Sequence, residues 1–199
     1  MGLEIETKEC DRNILILKWN GDIWKEVDRS LFINELKRFP SHLSQEEWIE
    51  RFNALEIRVA KALALRLLAK KGRLSRELGE KMSQRGLSRG AIDAALQYCR
   101  ELGFLNDQEH LRAMIEKEQR KGLGKKMILY KLKVIKGVDA EMLEALSHEM
   151  SPEEEVAARL VKKLSKSIDL TDRKAKQKLI AKCMRRGFSY SEIADAIEH

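Results

Sequence analysis

Two prolines, eleven glycines and three cysteines are all that 199 residues contain of these types. So little proline and glycine excludes a collagen-like or loop-built chain and favours long regular elements. The cysteines (Cys10, Cys99, Cys183) are odd in number and far apart. That spacing excludes a disulfide framework, suits a reducing cytoplasm, and lacks the paired Cys-x-x-Cys of a zinc site. Aromatic residues reach only 6%, so base stacking is not the expected way of holding a nucleic acid. Apolar runs such as Ile14 to Leu17 and Leu67 to Ala69 are only a few residues long, far short of the ~20 residues that cross a bilayer. No membrane partner is expected. The acidic start (Glu4, Glu6, Glu9) does not resemble a signal peptide.

Catalytic groupings are missing as well. His42, His110, His148 and His199 are scattered, with no His-x-x-x-His or Glu-x-x-His pair. Cys99 and Cys183 fall in amphipathic segments and read as small core residues. No Gly-x-x-x-x-Gly-Lys-Ser/Thr loop occurs, and Gly122 to Lys126 is too short to replace one. The chain reads as a non-enzyme without metal or cofactor.

What is present is helix-forming sequence and charge. Hydrophobic residues make up 43%, enough for a packed core, and charged ones 36%. Leu, Ala, Lys, Glu and Arg dominate, the composition of helices. The net charge of +7 is unevenly placed. Residues 1–57 hold 8 basic and 12 acidic residues, so all the positive excess lies beyond them. Three blocks carry it: 58–90 (ten basic, two acidic), 117–136 (eight and one) and 159–190 (eleven and two). A polyanion such as nucleic acid fits a stripe of this kind. A solvated lysine-rich face accounts for any single block equally well.

The opening differs from the rest. Ile14 to Trp19, Asn20-Gly21, then Asp22 to Val27 predicts two strands about a tight turn, because a type I′ turn needs two residues with positive φ. Leu31, Ile33, Leu36 and Phe39 predict a short helix before Pro40. From Ser44 onward helix punctuation recurs. Ser44 with Glu47, Asn106 with Glu109 and Ser189 with Glu192 form capping boxes. Gly72, Gly86, Gly103, Gly122, Gly137 and Gly187 sit where helices should stop.

Gly86, Gly137 and Gly187 also mark an internal repeat of about 50 residues, each followed by an apolar residue, a capping residue and a new helix. Helices are expected over 57–71, 75–85, 88–102, 107–121, 124–136, 139–149, 152–167, 172–186 and 189–198. The fold class is therefore mostly α, a tandem array of three three-helix modules preceded by a short β-hairpin and helix. The boundaries are 1–56 for the N-terminal segment, then 57–103, 104–150 and 151–199 for the modules. Three short helices with a glycine turn also fit an independent helix-turn-helix reading. Arg120, Lys121, Lys125 and Lys126 flank Gly122 and Gly124 at a corner whose second helix is expected to aim its N-terminus outward, ready for phosphates or acidic side chains.

These residues resemble the RecX family, the regulators of the RecA recombinase. The likeness is carried by Ala62 to Leu68 with Ser75 to Leu78, by Leu102 to Asp107 with Arg112, by Lys121 to Val138, and by Arg186 to Tyr190 with Ile193. It covers essentially the whole chain. His110, Leu111, Leu123 and Lys125 depart from the family's usual residues without removing the basic character. The resemblance implies a cytoplasmic monomer that binds the RecA–single-stranded DNA filament, restraining strand exchange, ATP turnover and coprotease activity. Its basic face would meet acidic RecA surface and single- or double-stranded DNA. The candidate contact residues are Arg66, Lys70, Lys71, Arg73, Arg112, Arg120, Lys121, Lys125, Lys126 and Lys131. A basic module that binds nucleic acid without RecA, or an adaptor for an acidic protein, are the readings that compete.

Overall fold

Asn20 (φ 51°) and Gly21 (φ 90°) adopt the two positive-φ positions expected of the hairpin turn. The computed structural model describes residues 3–40, 43–166 and 168–198, so His42 and His199 lie outside it. Strands β2 (Asp11–Trp19) and β3 (Asp22–Asp28) pair antiparallel about that turn. A further strand, β1 (Leu3–Lys8), pairs with β2 and was not expected from sequence. It alternates Glu4, Ile5 and Glu6, and Ile5 stays 38% exposed, so it is a charged edge strand with little apolar signal.

The sheet buries Leu15, Leu17 and Val27 against Phe32 and Leu36 of α1 (Arg29–Leu36) and Trp48 and Phe52 of α2 (Gln45–Lys70). Trp24 meets Trp48 and Phe52 edge-on, with centroids 5.1 and 5.0 Å apart. The tryptophans are core packing, as expected. α2 begins twelve residues earlier than the expected helix over 57–71. Ser44 Oγ accepts from Glu47 N (3.3 Å) while Glu47 Oε2 accepts from Ser44 N (2.9 Å), and nothing breaks the helix before Lys71. There the chain turns extended (Lys71 φ −165°, ψ 133°), so Gly72 is not the left-handed stop expected of it.

Helices α3 (Ser75–Ser83) and α4 (Arg89–Glu101) complete the first compact unit, which ends at Asp107. Buried Glu56 ties it together. Its carboxylate accepts from Lys25 Nζ of β3 (2.5 Å) and from Ser88 N and Oγ (2.8 and 2.7 Å), while Ser88 caps α4. The second unit, residues 108–199, contains α5 (Asp107–Arg120), whose first residue closes the first unit, then α6 (Lys125–Lys133) and α7 (Ala140–His148). Next come α8 (Glu153–Ser165), α9 (Arg173–Met184) and α10 (Tyr190–Glu198). Val156, Leu160, Leu179, Cys183, Phe188 and Ile193 form the core of the last three helices.

The fold is mostly α, with three successive groups of three helices (α2–α4, α5–α7, α8–α10) behind a small sheet. The repeat glycines Gly86, Gly137 and Gly187 have φ of 76°, 91° and 98°, the left-handed conformation the repeat requires. A second regularity recurs within each unit. Asp107 Oδ1 accepts from Ser75 N, and Glu153 Oε1 accepts from Lys125 N, both at 2.7 Å. In each case the first residue of one group's first helix caps the second helix of the group before.

Candidate functional site

The corner between α5 and α6 was the foremost sequence candidate, and its construction follows from its glycines. Gly122 (φ 77°) ends α5, with Gly122 N donating to Gln119 O (2.8 Å) and Leu123 N to Glu118 O (3.1 Å). Gly124 starts α6 without a side-chain cap, and its N donates to Arg186 O at 2.8 Å. A Cβ on Gly124 would stand 3.0 Å from the Gly187 carbonyl, so the two glycine turns approach as only glycines allow. Arg186 Nη1 returns a bond to Lys121 O at 2.6 Å.

This corrects the expected outward-facing helix N-terminus. Glu153 has taken the Lys125 N–H, and the turn before α10 has taken that of Gly124. The corner is a joint between helix groups, not an open phosphate cradle. Burial holds the Glu153 carboxyl above the usual carboxylate range, against the lowering effect of the Lys125 N–H, and the Glu192 carboxylate beside it adds to the rise.

Most of the candidate cations on the second unit already have partners. Lys121 and Lys131 both donate to Glu118, Lys131 at 2.6 Å. Those two bonds, with Lys121 foremost, hold the Glu118 carboxyl below its ordinary range. Arg120 pairs with Glu116 at 2.7 Å, one turn back on α5. Arg112 makes a forked contact with Glu149, Nε at 2.5 Å and Nη2 at 2.7 Å. Lys125 is half-buried, whereas Lys126 is exposed and forms no ion pair among the described residues. On the first unit, Arg66, Lys70 and Lys71 are exposed at the end of α2 and just past it. Arg73 is half-buried and paired with Glu77, and its Nε is enclosed without a partner.

The ten candidates therefore divide. Arg66, Lys70, Lys71 and Lys126 are exposed without an ion pair among the described residues, Lys125 is half-buried with its backbone N–H held by Glu153, and Arg73, Arg112, Arg120, Lys121 and Lys131 are engaged within the fold. The acidic partners that decide this are Glu77, Glu116, Glu118 and Glu149. Glu118 carried one signal, being the single acid in the block 117–136 and three residues from Lys121. Among the described residues there is no group of three or more His, Cys, Asp and Glu able to hold a metal, and no helix long and apolar enough to cross a membrane. Cys99 and Cys183 are buried, and burial pushes both thiols up, as befits core residues rather than nucleophiles.

A regulatory protein RecX from Streptomyces coelicolor is 30% identical over 134 residues, 65% of this chain and 71% of its own. The chain belongs to the RecX family. A family profile described as RecX, third three-helix domain, matches residues 152–197, which hold α8 to α10. The regulatory protein RecX of Streptococcus pneumoniae aligns over 98% of this chain and 76% of its own at 23% identity. A crystal structure of regulatory protein RecX superposes on all of this chain and 99% of its own, with a TM-score of 0.59 and 17% identity. The RecX of Lactobacillus salivarius gives 0.59 over 73% of this chain and 96% of its own, at 22% identity. The fold is thus that of RecX structures, and the chain is a RecX-type regulatory protein.

Proposed function

We propose that this RecX-family chain binds the RecA–single-stranded DNA filament and lowers RecA's strand exchange, ATP turnover and coprotease activity. Family membership over nearly the whole chain is the observation that carries the reading. The exposed cations Arg66, Lys70, Lys71 and Lys126, which form no ion pair among the described residues, support it, because they have no such pair to break when they meet phosphate or carboxylate. Contact through the paired set requires breaking an existing ion pair first, so those residues contribute less.

DNA-dependent ATP hydrolysis by RecA of the same organism, with and without this protein, tests the proposal. A fall in rate is expected, and unchanged kinetics with a folded protein would sink it. Binding to single-stranded DNA without RecA, at two salt concentrations, separates the competing reading, in which phosphate contacts alone give a steep loss of affinity with salt.

A further inference from the structure

Between α2 and α4 runs an open groove of about 500 Å³, remote in sequence from the corner described above. Ala54, Ile57, Ala62 and Leu65 give it an aliphatic floor, and Tyr98 of α4 lines it from across. From Ala54 to Leu65 the helix advances about 16 Å, three turns. Arg58 and Lys61 rim it. A second hollow of about 320 Å³ shares Ala54 and Arg58 and adds Arg38 and Arg51. One acid, Glu35, faces these cations, bonded to Arg58 at 2.6 Å and lying 3.8 Å from Arg38. Arg51 is exposed and has no ion pair among the described residues. The patch is therefore strongly positive, although residues 1–57 as a whole carry more acid than base.

We propose that this groove receives an acidic amphipathic helix of a partner protein, its apolar side chains on the aliphatic floor and its carboxylates on Arg51 and on the guanidinium N–H groups of Arg58 that its bond to Glu35 leaves over. Small side chains at Ala54 and Ala62 let a second helix approach closely, and Arg51, Arg58 and Lys61 lie along the same helix face as the floor, within reach of such a ligand's carboxylates. Nucleic acid fits less well. Lys61 Nζ stands 4.5 Å from the centroid of the Tyr98 ring, where a stacked base would compete with it, and aliphatic floor offers nothing to phosphate. The inference does not depend on the RecA reading, since it rests on the shape and charge of the first unit alone.

The test uses the full-length chain and a fluorescein-labelled synthetic helix of about 14 residues, with leucines at i, i+4, i+7 and i+11 among glutamates. Saturable binding by anisotropy is expected. Arg51→Glu with Arg58→Glu should weaken it at least about tenfold, because attraction becomes repulsion at both positions. Ala62→Glu, at an exposed position where circular dichroism should be unchanged, should do the same. A peptide with the leucines replaced by serine should bind at least about tenfold more weakly. No binding, equal binding by the serine peptide, or wild-type binding by the groove variants overturns the proposal. So does displacement of the peptide by oligothymidylate, which assigns the groove to nucleic acid. Sedimentation showing a dimer that the groove variants dissociate would assign it to a second copy and overturn it too.

Discussion

Glu153 Oε1 lies 2.7 Å from the backbone nitrogen of Lys125, so the first residue of α8 supplies the cap that α6 lacks in its own sequence. The same relation holds between Asp107 and Ser75, where the N-cap position is Leu74 and carries no side-chain bond. Within each unit, a short helix that cannot cap itself thus takes its cap from an acidic residue later in the chain.

This cap has a pH signature. The folded state, which raises the Glu153 pKa chiefly by burial, binds that proton more readily than the unfolded chain. Its contribution to stability therefore falls as pH rises through the folded value. Glu153→Gln keeps an acceptor for Lys125 without the charge, and should equal or exceed wild type at neutral pH. The difference should close as pH falls below that value. Glu153→Ala leaves the N–H bare and should cost about 1 kcal/mol. Urea midpoints at neutral and mildly acidic pH decide, and a Gln variant no better than Ala would show the cap to be idle.

Gly187 and Gly103 should respond differently to alanine although both are left-handed. A Cβ at Gly103 (φ 74°) meets nothing within 4 Å, so only backbone strain of about 1 kcal/mol is expected. At Gly187 (φ 98°) the Cβ would stand 2.7 Å from Met127 Cγ and 3.2 Å from Met127 N. Overpacking adds to the strain there, for a loss of roughly 2 kcal/mol or more. Equal losses in chemical denaturation would mean that the Gly187 turn is not packed against Met127.

Glu56→Ala should be among the most damaging single changes in the first unit. It strips three hydrogen bonds and leaves Lys25 and the Ser88 cap without their acceptor. A cost of about 3 kcal/mol is expected, at the lower end for a broken buried pair because Lys25 keeps some contact with water. Glu56→Gln retains part of the network and should cost less. Denaturant titration of both variants would show the ranking.

Charge reversals at the second unit should separate binding from folding. Lys126→Glu should leave circular dichroism unchanged, weaken binding to the RecA–DNA filament and lower its salt slope by roughly one. Lys121→Glu sets a carboxylate against Glu118 and should lower stability by up to about 1 kcal/mol. Reversing Lys121, Lys125 and Lys126 together confounds the two effects, since Lys121 and Lys125 sit at the joint with α8 and α9–α10.

Local chemistry was legible in the residues themselves. Asn20-Gly21 made its turn, Ser44 and Glu47 made their box, and Ser189 did the same with Glu192, because each needs partners only a few residues away. The repeat glycines were readable for the same reason, since a left-handed stop is a property of one residue and its neighbours. Helix ends came within a few residues of expectation from α3 to α10, where capping residues and glycines bracket amphipathic segments. β1 escaped notice because an edge strand buries too little to show an apolar alternation. Helical spacing accounts for Arg73 with Glu77, Arg120 with Glu116 and Lys121 with Glu118, but only tertiary structure decided the partners of Arg112 and of the Lys125 N–H. Glu149 lies 37 residues from Arg112 and Glu153 28 from Lys125, separations at which no periodicity speaks. A charge's partner depends on where distant helices dock, and that docking follows from the burial of side chains such as Leu160 and Phe188, not from any feature of the charges.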